Sequence, residues 1–396
     1  MRIVLSTLGT VGDVLPLARL APALVARGHD LTLHGWSMYQ ALLEVPGARF
    51  VAAASAVTEE RLQATTAQAL RAAHPAQQVA QLAQLFYVES AAAYYARICQ
   101  LLAGADLAIL NVLDHLAQAA AEVLCIPWVG WRSRPPPLGP RAAAEDAILA
   151  ECDAILSEHL AQITGQRGRR FRIFREPSPL LDLVAVSPRL LEGEAVLHAG
   201  DARTSVTGHW LAAEQREELP PVLREFLAVS PRPIVFVTFG RMPDVSGRTR
   251  TVLQAGKAAG VSLVVQALGA PSSRTAEALV IPAALSYPSV FACVDAVLHH
   301  GGMGTTHEVC RAALPSFAVP HMGDQYYWAQ RLAACGLGPA LLPHTQLSIE
   351  TLAQRLHALV HQPTYRALAQ ALAPALREED GVAVALRRLA PLLGAG

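Results

Sequence analysis

The chain has 396 residues, 52% of them apolar and 16% charged, a composition typical of globular domains and not of disordered chains. Its 32 basic and 32 acidic side chains cancel, which excludes the basic excess expected of a nucleic-acid-binding protein. The length is sufficient for two domains with cores of their own.

Apolar runs of strand length alternate with helical patterns, which predicts parallel sheets covered by helices. In the first half the predicted strands are Ile3–Leu8, Leu31–Gly35, Leu107–Asn111, Trp128–Trp131 and Leu183–Val186. In the second half they are Ile234–Phe239, Leu263–Ala267, Leu279–Ile281, Ala296–His299, Ser316–Val319 and Ala340–Leu342. The predicted fold class is α/β, with two doubly wound domains whose ligands bind at the carboxyl ends of the strands.

A segment rich in Glu and Pro, residues 214–233, separates the two halves. It predicts a linker that contains one short amphipathic helix, Pro221–Val229.

The exit of the first strand is a candidate catalytic position. The chain passes through Gly9 and Gly12 into a predicted helix, Val14–Arg27, which ends at Gly28. Asp13 therefore lies at the helix start, where two interpretations stay open. It is either an N-cap that accepts hydrogen bonds from free N–H groups, or a general base, since an ordinary Asp with a pKa of about 3.9 is ionised at neutral pH.

The segment Asp295–Glu308 places two histidines and three glycines between a predicted strand and a helix predicted from Thr305 to Ala313. Glycines allow close approach to a ligand, and a helix start presents unpaired N–H groups, so this turn favours a phosphate or diphosphate. His300 and Thr305 add hydrogen-bonding groups, and Glu308 suits a ribose diol. The alternative is a Gly-rich β-to-α turn with a core histidine.

Asp324 and Gln325 follow the next predicted strand and begin another helix. Beside a diphosphate site they would suit the hydroxyls of a sugar. Taken alone, they are equally consistent with a helix cap and its neighbour.

In this order the motifs resemble those of the family 1 glycosyltransferases, particularly bacterial members that act on lipids, polyketides and other natural products. Gly9–Pro16 is similar to the family's G-S-x-G-D-V-x-P opening, Val206–Trp210 to its T-G segment, and Val237–Met242 to its F-G-S-M motif. His299–Glu308 and Gly323–Gln325 resemble the donor signature. The resemblance implies the GT-B fold, in which two Rossmann-like domains face each other across a cleft.

The same resemblance implies a division of the chain. Residues 1–213 would form an N-terminal acceptor-binding domain, 214–233 the interdomain linker, and 234–378 a C-terminal nucleotide-sugar-binding domain. Residues 379–396 would form a C-terminal helix that packs back on the N-terminal domain.

Carried over residue by residue, the resemblance implies that Asp13 is the catalytic base. Arg241 replaces the serine of F-G-S-M, where a guanidinium either reaches phosphate oxygens or blocks them. The resemblance implies that Glu308 binds both hydroxyls of a ribose. This favours UDP over dTDP, because the deoxyribose of dTDP lacks one of these hydroxyls. The implied nucleotide-sugar-binding residues are Gly12, Arg241, His300, Gly302, Gly304, Thr305, Glu308, Asp324 and Gln325.

The implied activity is an inverting transfer of a sugar from a UDP-sugar to a hydroxyl of an apolar small molecule, with no metal and no resident cofactor. Two alternative functions of other classes stay open as hypotheses. One is a nucleotide-sugar 2-epimerase on the same fold, and the other is a catalytically silent auxiliary protein that only binds the nucleotide sugar.

Other side chains are secondary candidates. Asp114 and His115 begin a predicted helix and would assist the base, or else are a capping Asp and a surface His. Phe86, Tyr87 and Tyr94 lie on predicted helices and would line an acceptor pocket, or else serve ordinary helix packing.

The sequence predicts a cytoplasmic protein with at most peripheral membrane contact. The most apolar segment, residues 101–131, is interrupted by Asp106, Asp114 and Glu122, so it lacks the roughly 20 uncharged residues of a membrane span. The N-terminus predicts a strand and no signal peptide.

The six scattered cysteines lack a C-x-x-C pair, which predicts buried thiols in a reducing compartment. The oligomeric state is not predicted.

Overall fold

In the computed structural model, the chain folds into two compact units. Unit 1 comprises Met1–Leu211 and Asp380–Gly396, and unit 2 comprises Ala212–Glu379. The structure describes residues 1–54, 57–72, 75–87, 90–135, 150, 153–154, 157–158, 160–165, 178–194, 203–210, 216–245 and 247–394. The predicted boundary between residues 213 and 214 lies outside the described residues.

Unit 1 is built on a parallel seven-stranded sheet in the order β3-β2-β1-β4-β5-β6-β7. Its middle strands are buried on both faces, as expected of a parallel sheet covered by helices. The strands are β1 Arg2–Ser6, β2 Asp30–Gly35, β3 Ala48–Ala52, β4 Leu107–Asn111, β5 Trp128–Arg132, β6 Asp182–Val184 and β7 Thr204–Val206.

The described helices of unit 1 cover this sheet with apolar faces. Helix α1, for example, buries Leu17, Leu20 and Leu24 in the core. The described helices in the first segment of unit 1 are α1 Val11–Val25, α2 Gln40–Leu43, α3 Glu59–Ala69, α4 Pro75–Tyr87, α5 Ala91–Leu102 and α6 His115–Val123, with 3-10 turns at Ser37–Tyr39 and Pro188–Leu191.

Unit 2 is built on a six-stranded sheet in the order β10-β11-β9-β8-β12-β13. Only the edge strand β10 runs antiparallel to its neighbour among these pairs. The strands are β8 Ile234–Thr238, β9 Ser262–Gln266, β10 Ser273–Arg274, β11 Ala278–Ile281, β12 Ala296–His299 and β13 Ser316–Ala318.

Helices flank this second sheet as well. They are α7 Pro221–Val229, α8 Arg248–Ala259, α9 Tyr287–Phe291, α10 Met303–Arg311, α11 Gln325–Ala334, α12 Ile349–His361 and α13 Pro363–Arg377, with a 3-10 turn at His344–Gln346. The structure confirms the predicted helix α7. It buries Leu223 and Phe226 in a core cluster of unit 2, so part of the predicted linker contributes to that core.

The last helix, α14 Gly381–Leu393, returns to unit 1. Its residues Ala385, Leu386 and Leu389 belong to the same core cluster as the central strands of the first sheet. Arg388 adds a polar contact, since its Nε donates a hydrogen bond to Ser205 Oγ at 2.8 Å. The C-terminal segment therefore completes the hydrophobic core of unit 1.

The predicted strands match the structure to within a few residues, apart from the differences in strands and helix starts described next. The short or half-exposed strands β3, β7 and β10 were not predicted. The strand predicted at Ala340–Leu342 is wrong, because that segment is a loop in which Leu342 is buried and donates one backbone hydrogen bond to Ala318. The two predicted helix starts at residues 14 and 305 lie later than the observed starts at Val11 and Met303.

The five described cysteines are free thiols. The prediction that the cysteines are buried is wrong for Cys125, which is exposed, and right for Cys310. Cys152 lies outside the described residues. Within the described part of the chain, no helix has the length and apolar character that a bilayer span demands.

Candidate functional site

Three neighbouring strands of unit 2 end at one edge of its sheet and carry the predicted donor residues. In the sheet order, β8 and β13 lie on either side of β12. The loop after β8 contains Gly240, the turn after β12 contains His300, and the loop after β13 leads to Gln325. Because parallel strands share a carboxyl edge, the fold brings these three loops together.

The ring of His300 lies between two glycines. A Cβ atom added at Gly302 would lie 2.4 Å from His300 Nε2, and one added at Gly240 would lie 3.0 Å from its Cε1. Gly240 also has a φ of +58°, in the left-handed region that favours glycine. The position of the imidazole therefore depends on the absence of side chains on both sides.

Both histidines of this turn are neutral at physiological pH. Burial and, to a smaller extent, the nearby positive charge of Arg248 lower the pKa of His300 to about 4, against the opposing effect of a hydrogen bond to the Thr238 backbone. Burial likewise lowers the pKa of His299 to about 3, and its Nδ1 accepts a hydrogen bond from Gly301 N at 3.1 Å. His300 therefore offers a hydrogen-bonding group and no charge of its own.

Helix α10 starts directly at this turn, with Gly302 as its N-cap residue. The first intrahelical bond joins Thr306 N to Gly302 O at 2.9 Å. The backbone N–H groups of Met303, Gly304 and Thr305 precede it and have no intrahelical acceptor. A Cβ atom at Gly304 would meet no other atom within 4 Å, so there is open space beside the first turn. This arrangement suits the oxygens of a diphosphate.

Gln325 is held by the loop that precedes it. Its Oε1 accepts hydrogen bonds from His321 N at 2.8 Å and Met322 N at 3.2 Å, and its Nε2 lies 3.6 Å from Met242 Sδ. Asp324 is the N-cap residue of helix α11 and is partly exposed. The side-chain oxygen of Gln325 therefore has a structural function in addition to any contact with a sugar.

Glu308 lines a cavity of about 280 Å³ in unit 2. Three arginines share the lining with it, Arg216, Arg311 and Arg377. The other lining residues are Pro288, Phe291, Ala292 and Ala312. No sequence pattern indicates that these arginines lie beside the predicted ribose-binding glutamate.

In unit 1, Asp13 is not the N-cap of helix α1. The N-cap is Thr10, and Asp13 is the third helical residue of a capping box. Asp13 Oδ2 accepts hydrogen bonds from Thr10 N at 2.8 Å and from Thr10 Oγ1 at 3.1 Å. Gly9, with a φ of +123°, leaves room for this carboxylate, since a Cβ atom there would lie 2.3 Å from Oδ2. Asp13 is partly exposed, and the neighbouring Gly12 is exposed.

Asp114 belongs to a buried polar cluster that we define as Ser6, His34, Tyr94 and Asp114. Asp114 Oδ2 accepts hydrogen bonds from Ser6 Oγ at 2.5 Å and Tyr94 OH at 2.6 Å, and Oδ1 accepts one from Ala117 N at 3.1 Å. His34 Nδ1 lies 2.9 Å from Ser6 Oγ. Desolvation by burial raises the pKa of Asp114 to about 6 and lowers that of His34 to about 3.

The structure settles the environment of the remaining predicted residues. Asp114 is the N-cap of helix α6, whereas His115 is fully buried, so the interpretation of His115 as a surface residue is wrong. Phe86 and Tyr94 are members of the core cluster of unit 1, where Trp36 stacks on Phe86 with ring centroids 6.0 Å apart. Tyr87 is the last residue of helix α4, and its side chain lies outside the described part.

Comparison with known protein families identifies the carboxyl-terminal part of the chain. Residues 280–379 match the family described as "Erythromycin biosynthesis protein CIII-like, C-terminal domain". The match includes β12, the His300 turn, helix α10 and Gln325. This match agrees with the resemblance to the family 1 glycosyltransferases over residues 280–379.

Solved structures identify the fold of the whole chain. The calicheamicin glycosyltransferase CalG4 superposes with a TM-score of 0.74 at 18% identity, over 99% of this chain and 98% of that protein. The chain has the GT-B fold. A second GT-B structure, the Streptomyces glycosyltransferase SsfS6 complexed with thymidine diphosphate, matches with a TM-score of 0.62 at 19% identity, over 98% of this chain and all of that protein.

Curated relatives of this GT-B chain are named glycosyltransferases. The O-mycaminosyltylonolide 6-deoxyallosyltransferase of Streptomyces fradiae is 28% identical over 96% of this chain and 95% of its own length. The sterol 3-beta-glucosyltransferase of Aspergillus clavatus is 32% identical over 46% of this chain, and the match spans only 14% of that longer protein.

One charged residue of this GT-B chain lies buried beside the predicted donor residues and was not among them. Arg241, which it selected, is exposed. Arg248, the first residue of helix α8, is only 6% exposed and lies with its guanidinium carbon 4.1 Å from the centre of the Phe239 ring. In the sequence Arg248 is one of several polar residues at a helix start, and no local pattern marks it for burial.

The buried carboxyl of Asp114 predicts a measurable pH dependence of stability. A pKa raised to about 6 in the folded state means that folded chains keep a proton that unfolded chains release. This contribution is fully present below about pH 4 and is lost as the pH rises through about 6. Relative to Asp114→Asn, the wild type should therefore gain about 1 kcal/mol in its free energy of unfolding when the pH is lowered from 7.5 to 5.

The difference between wild type and variant in urea unfolding measures this contribution, because the histidines that lose their protons on burial are the same in both proteins. Asp106→Asn is the matched control, since Asp106 is exposed and accepts one hydrogen bond from Arg2 N at 2.7 Å. A difference between wild type and Asp114→Asn that is constant from pH 5 to pH 7.5 would contradict the prediction.

Proposed function

We propose that this chain is an inverting, metal-independent glycosyltransferase. It moves a sugar from a nucleoside diphosphate sugar, with UDP as the first choice of nucleotide, to a hydroxyl of an apolar small molecule. The observation that carries the proposal is the His300 turn. A neutral imidazole fixed between two glycines stands at the free N–H groups of helix α10, within the segment that matches the CIII-like domain.

On the donor side, the reaction breaks the bond between the anomeric carbon and a diphosphate oxygen. The electron pair of that bond leaves with the nucleotide, so negative charge grows on the diphosphate. The N–H groups of Met303, Gly304 and Thr305 and the imidazole of His300 donate hydrogen bonds to these oxygens. Donors that are fixed before the reaction stabilise such charge without reorganising, as in an oxyanion hole.

On the acceptor side, Asp13 acts as the general base. Its carboxylate takes the proton of the acceptor hydroxyl while the oxygen forms its bond to the anomeric carbon. The attack comes from the face opposite the departing diphosphate and inverts the anomeric configuration. Asp13 is partly exposed at the start of helix α1, which supports access of an acceptor hydroxyl to its carboxylate.

Two relatives guide the choice of acceptor and nucleotide. The names of the Streptomyces fradiae and Aspergillus clavatus relatives refer to a mycaminosyltylonolide and a sterol, which supports a natural product or a sterol as the acceptor. Glu308 supports UDP if its carboxylate binds both hydroxyls of a ribose. The neighbour solved with thymidine diphosphate makes dTDP-sugars the necessary second arm of the test.

The test incubates the full chain with UDP-sugars and dTDP-sugars, with and without a panel of sterols and macrolide aglycones, in buffer containing a chelator. We expect release of the nucleoside diphosphate only with an acceptor, a mass increase of one sugar on that acceptor, and an inverted anomeric centre by NMR. Isomerisation of the donor without acceptor would indicate an epimerase. Tight nucleotide binding with no product from any pair would indicate a silent binding protein.

A further inference from the structure

Arg248 carries a buried positive charge that forms no ion pair within the described part of the chain. Its side chain is 6% exposed, and no carboxylate among the described residues forms an ion pair with it. A second buried arginine, Arg132, is paired in the usual way, with Asp182 Oδ2 at 2.9 Å from its Nη2. The contrast matters because burying a charge without a counter-ion is costly.

The described hydrogen bonds of Arg248 are all with neutral groups, although the carboxylate of Asp244 acts on it through a Coulombic interaction that raises its pKa. Nη1 donates a hydrogen bond to His321 Nε2 at 2.6 Å, and Nη2 donates one to Met242 O at 3.1 Å. The guanidinium also lies over the Phe239 ring. Its buried Nε makes no hydrogen bond within the described structure. Burial lowers the pKa of Arg248 to about 10, so the group remains a cation at physiological pH.

This cation lies at the edge of the sheet where the donor loops meet. Met242 is in the loop after β8, and His321 is in the loop after β13. The positive charge of Arg248 also acts on His300, where it adds to the effect of burial in lowering the pKa of the imidazole. A charge that disfavours a second cation at the His300 turn favours an anion there by the same Coulombic interaction.

We infer that Arg248 is the positioning residue that supplies the fixed positive charge for the diphosphate of the donor. It acts through its field and through His321, whose backbone N–H holds Gln325. The bound diphosphate brings negative charge to a buried guanidinium that forms no ion pair with the described carboxylates. The inference rests on the proposed function and assigns to Arg248 the role that the sequence analysis considered for the exposed Arg241.

The experiment measures binding of UDP and of uridine to the full chain by calorimetry. Arg248→Gln keeps a hydrogen-bond donor toward the two loops and removes the charge, whereas Arg248→Lys keeps the charge. We expect Arg248→Gln to weaken UDP binding about tenfold or more while uridine binding stays unchanged, and Arg248→Lys to restore most of the loss. Arg250→Gln, an exposed position two residues further along helix α8, is the matched control and should bind both ligands normally.

The outcomes separate the two levels of the proposal. Equal weakening of UDP and uridine binding would mean that Arg248 only maintains the loops, and unchanged UDP binding would mean that its charge is not used. Either result overturns the inference and leaves the proposed function intact. If the wild type binds neither UDP nor dTDP, the proposed function fails and the inference fails with it.

A second measurement needs no variant, in case removal of the charge prevents folding. In the wild type, the Nε–H resonance of Arg248 should shift when UDP is added and stay in place when uridine is added. A resonance that UDP leaves unmoved would overturn the inference.

Discussion

Asp13→Asn should lower turnover by a factor of about 100 to 10,000, the range in which general bases contribute to catalysis. The variant keeps a side-chain oxygen that can accept the hydrogen bond from Thr10 N, so the start of helix α1 is preserved. What it loses is the lone pair that takes the proton of the acceptor. We therefore expect unchanged affinity for the nucleoside diphosphate and an unchanged free energy of unfolding, with product formation as the measured loss.

Thr10→Ala is the matched control for this substitution. It removes the Thr10 hydroxyl and its hydrogen bond to Asp13 Oδ2, and it keeps both the carboxylate of Asp13 and the hydrogen bond that this carboxylate accepts from Thr10 N. If loss of turnover followed from a weakened helix start, Thr10→Ala would show it as well. Normal turnover in Asp13→Asn would reject Asp13 as the base.

Gly302→Ala should weaken binding of UDP about tenfold to a hundredfold, the cost expected when a hydrogen bond to a charged group is lost. The new Cβ atom would lie 2.4 Å from His300 Nε2, so the imidazole must leave its position between the glycines. The backbone of Gly302, with a φ of −64° and a ψ of 141°, is open to alanine. The fold should therefore persist, with the loss seen in calorimetric titration with UDP.

A double-mutant cycle shows whether the effect passes through the imidazole. In a chain that already carries His300→Ala, the ring is gone, and Gly302→Ala should weaken UDP binding by much less. Equal losses in both backgrounds would mean that the methyl group obstructs the ligand directly. The geometry of the His300 turn would then not be the basis of donor binding.

The sequence predicts the strand, turn and helix around His300 because the residue types of this turn are constrained by its geometry. Two glycines must flank the His300 ring, and a helix must start immediately afterwards. Two other glycines explain the misplaced helix starts. Gly12 and Gly304 both lie in a first helical turn, where their low helix propensity makes the helix seem to begin later than it does.

The parts that the sequence does not predict depend on contacts distant along the chain. Asp114 is a recognisable N-cap, but its bonds to Ser6 and Tyr94 join residues 108 and 20 positions away. Arg248 is separated from His321 by 73 positions. The apolar run at Ala340–Leu342 reflects the burial of Leu342 and not a strand. Local patterns report burial and turn chemistry, and they do not identify the partner of a buried polar group.

The return of helix α14 to the first core has a practical consequence for protein engineering. Residues 212–379 form one unbroken stretch of chain that is topologically an insertion within the first unit. A chimera that exchanges this stretch for its counterpart in a relative leaves both the first strand and the last helix of the recipient in their own core. Exchange at a single junction near residue 212 would instead graft a foreign final helix onto Leu5, Leu17 and their neighbours.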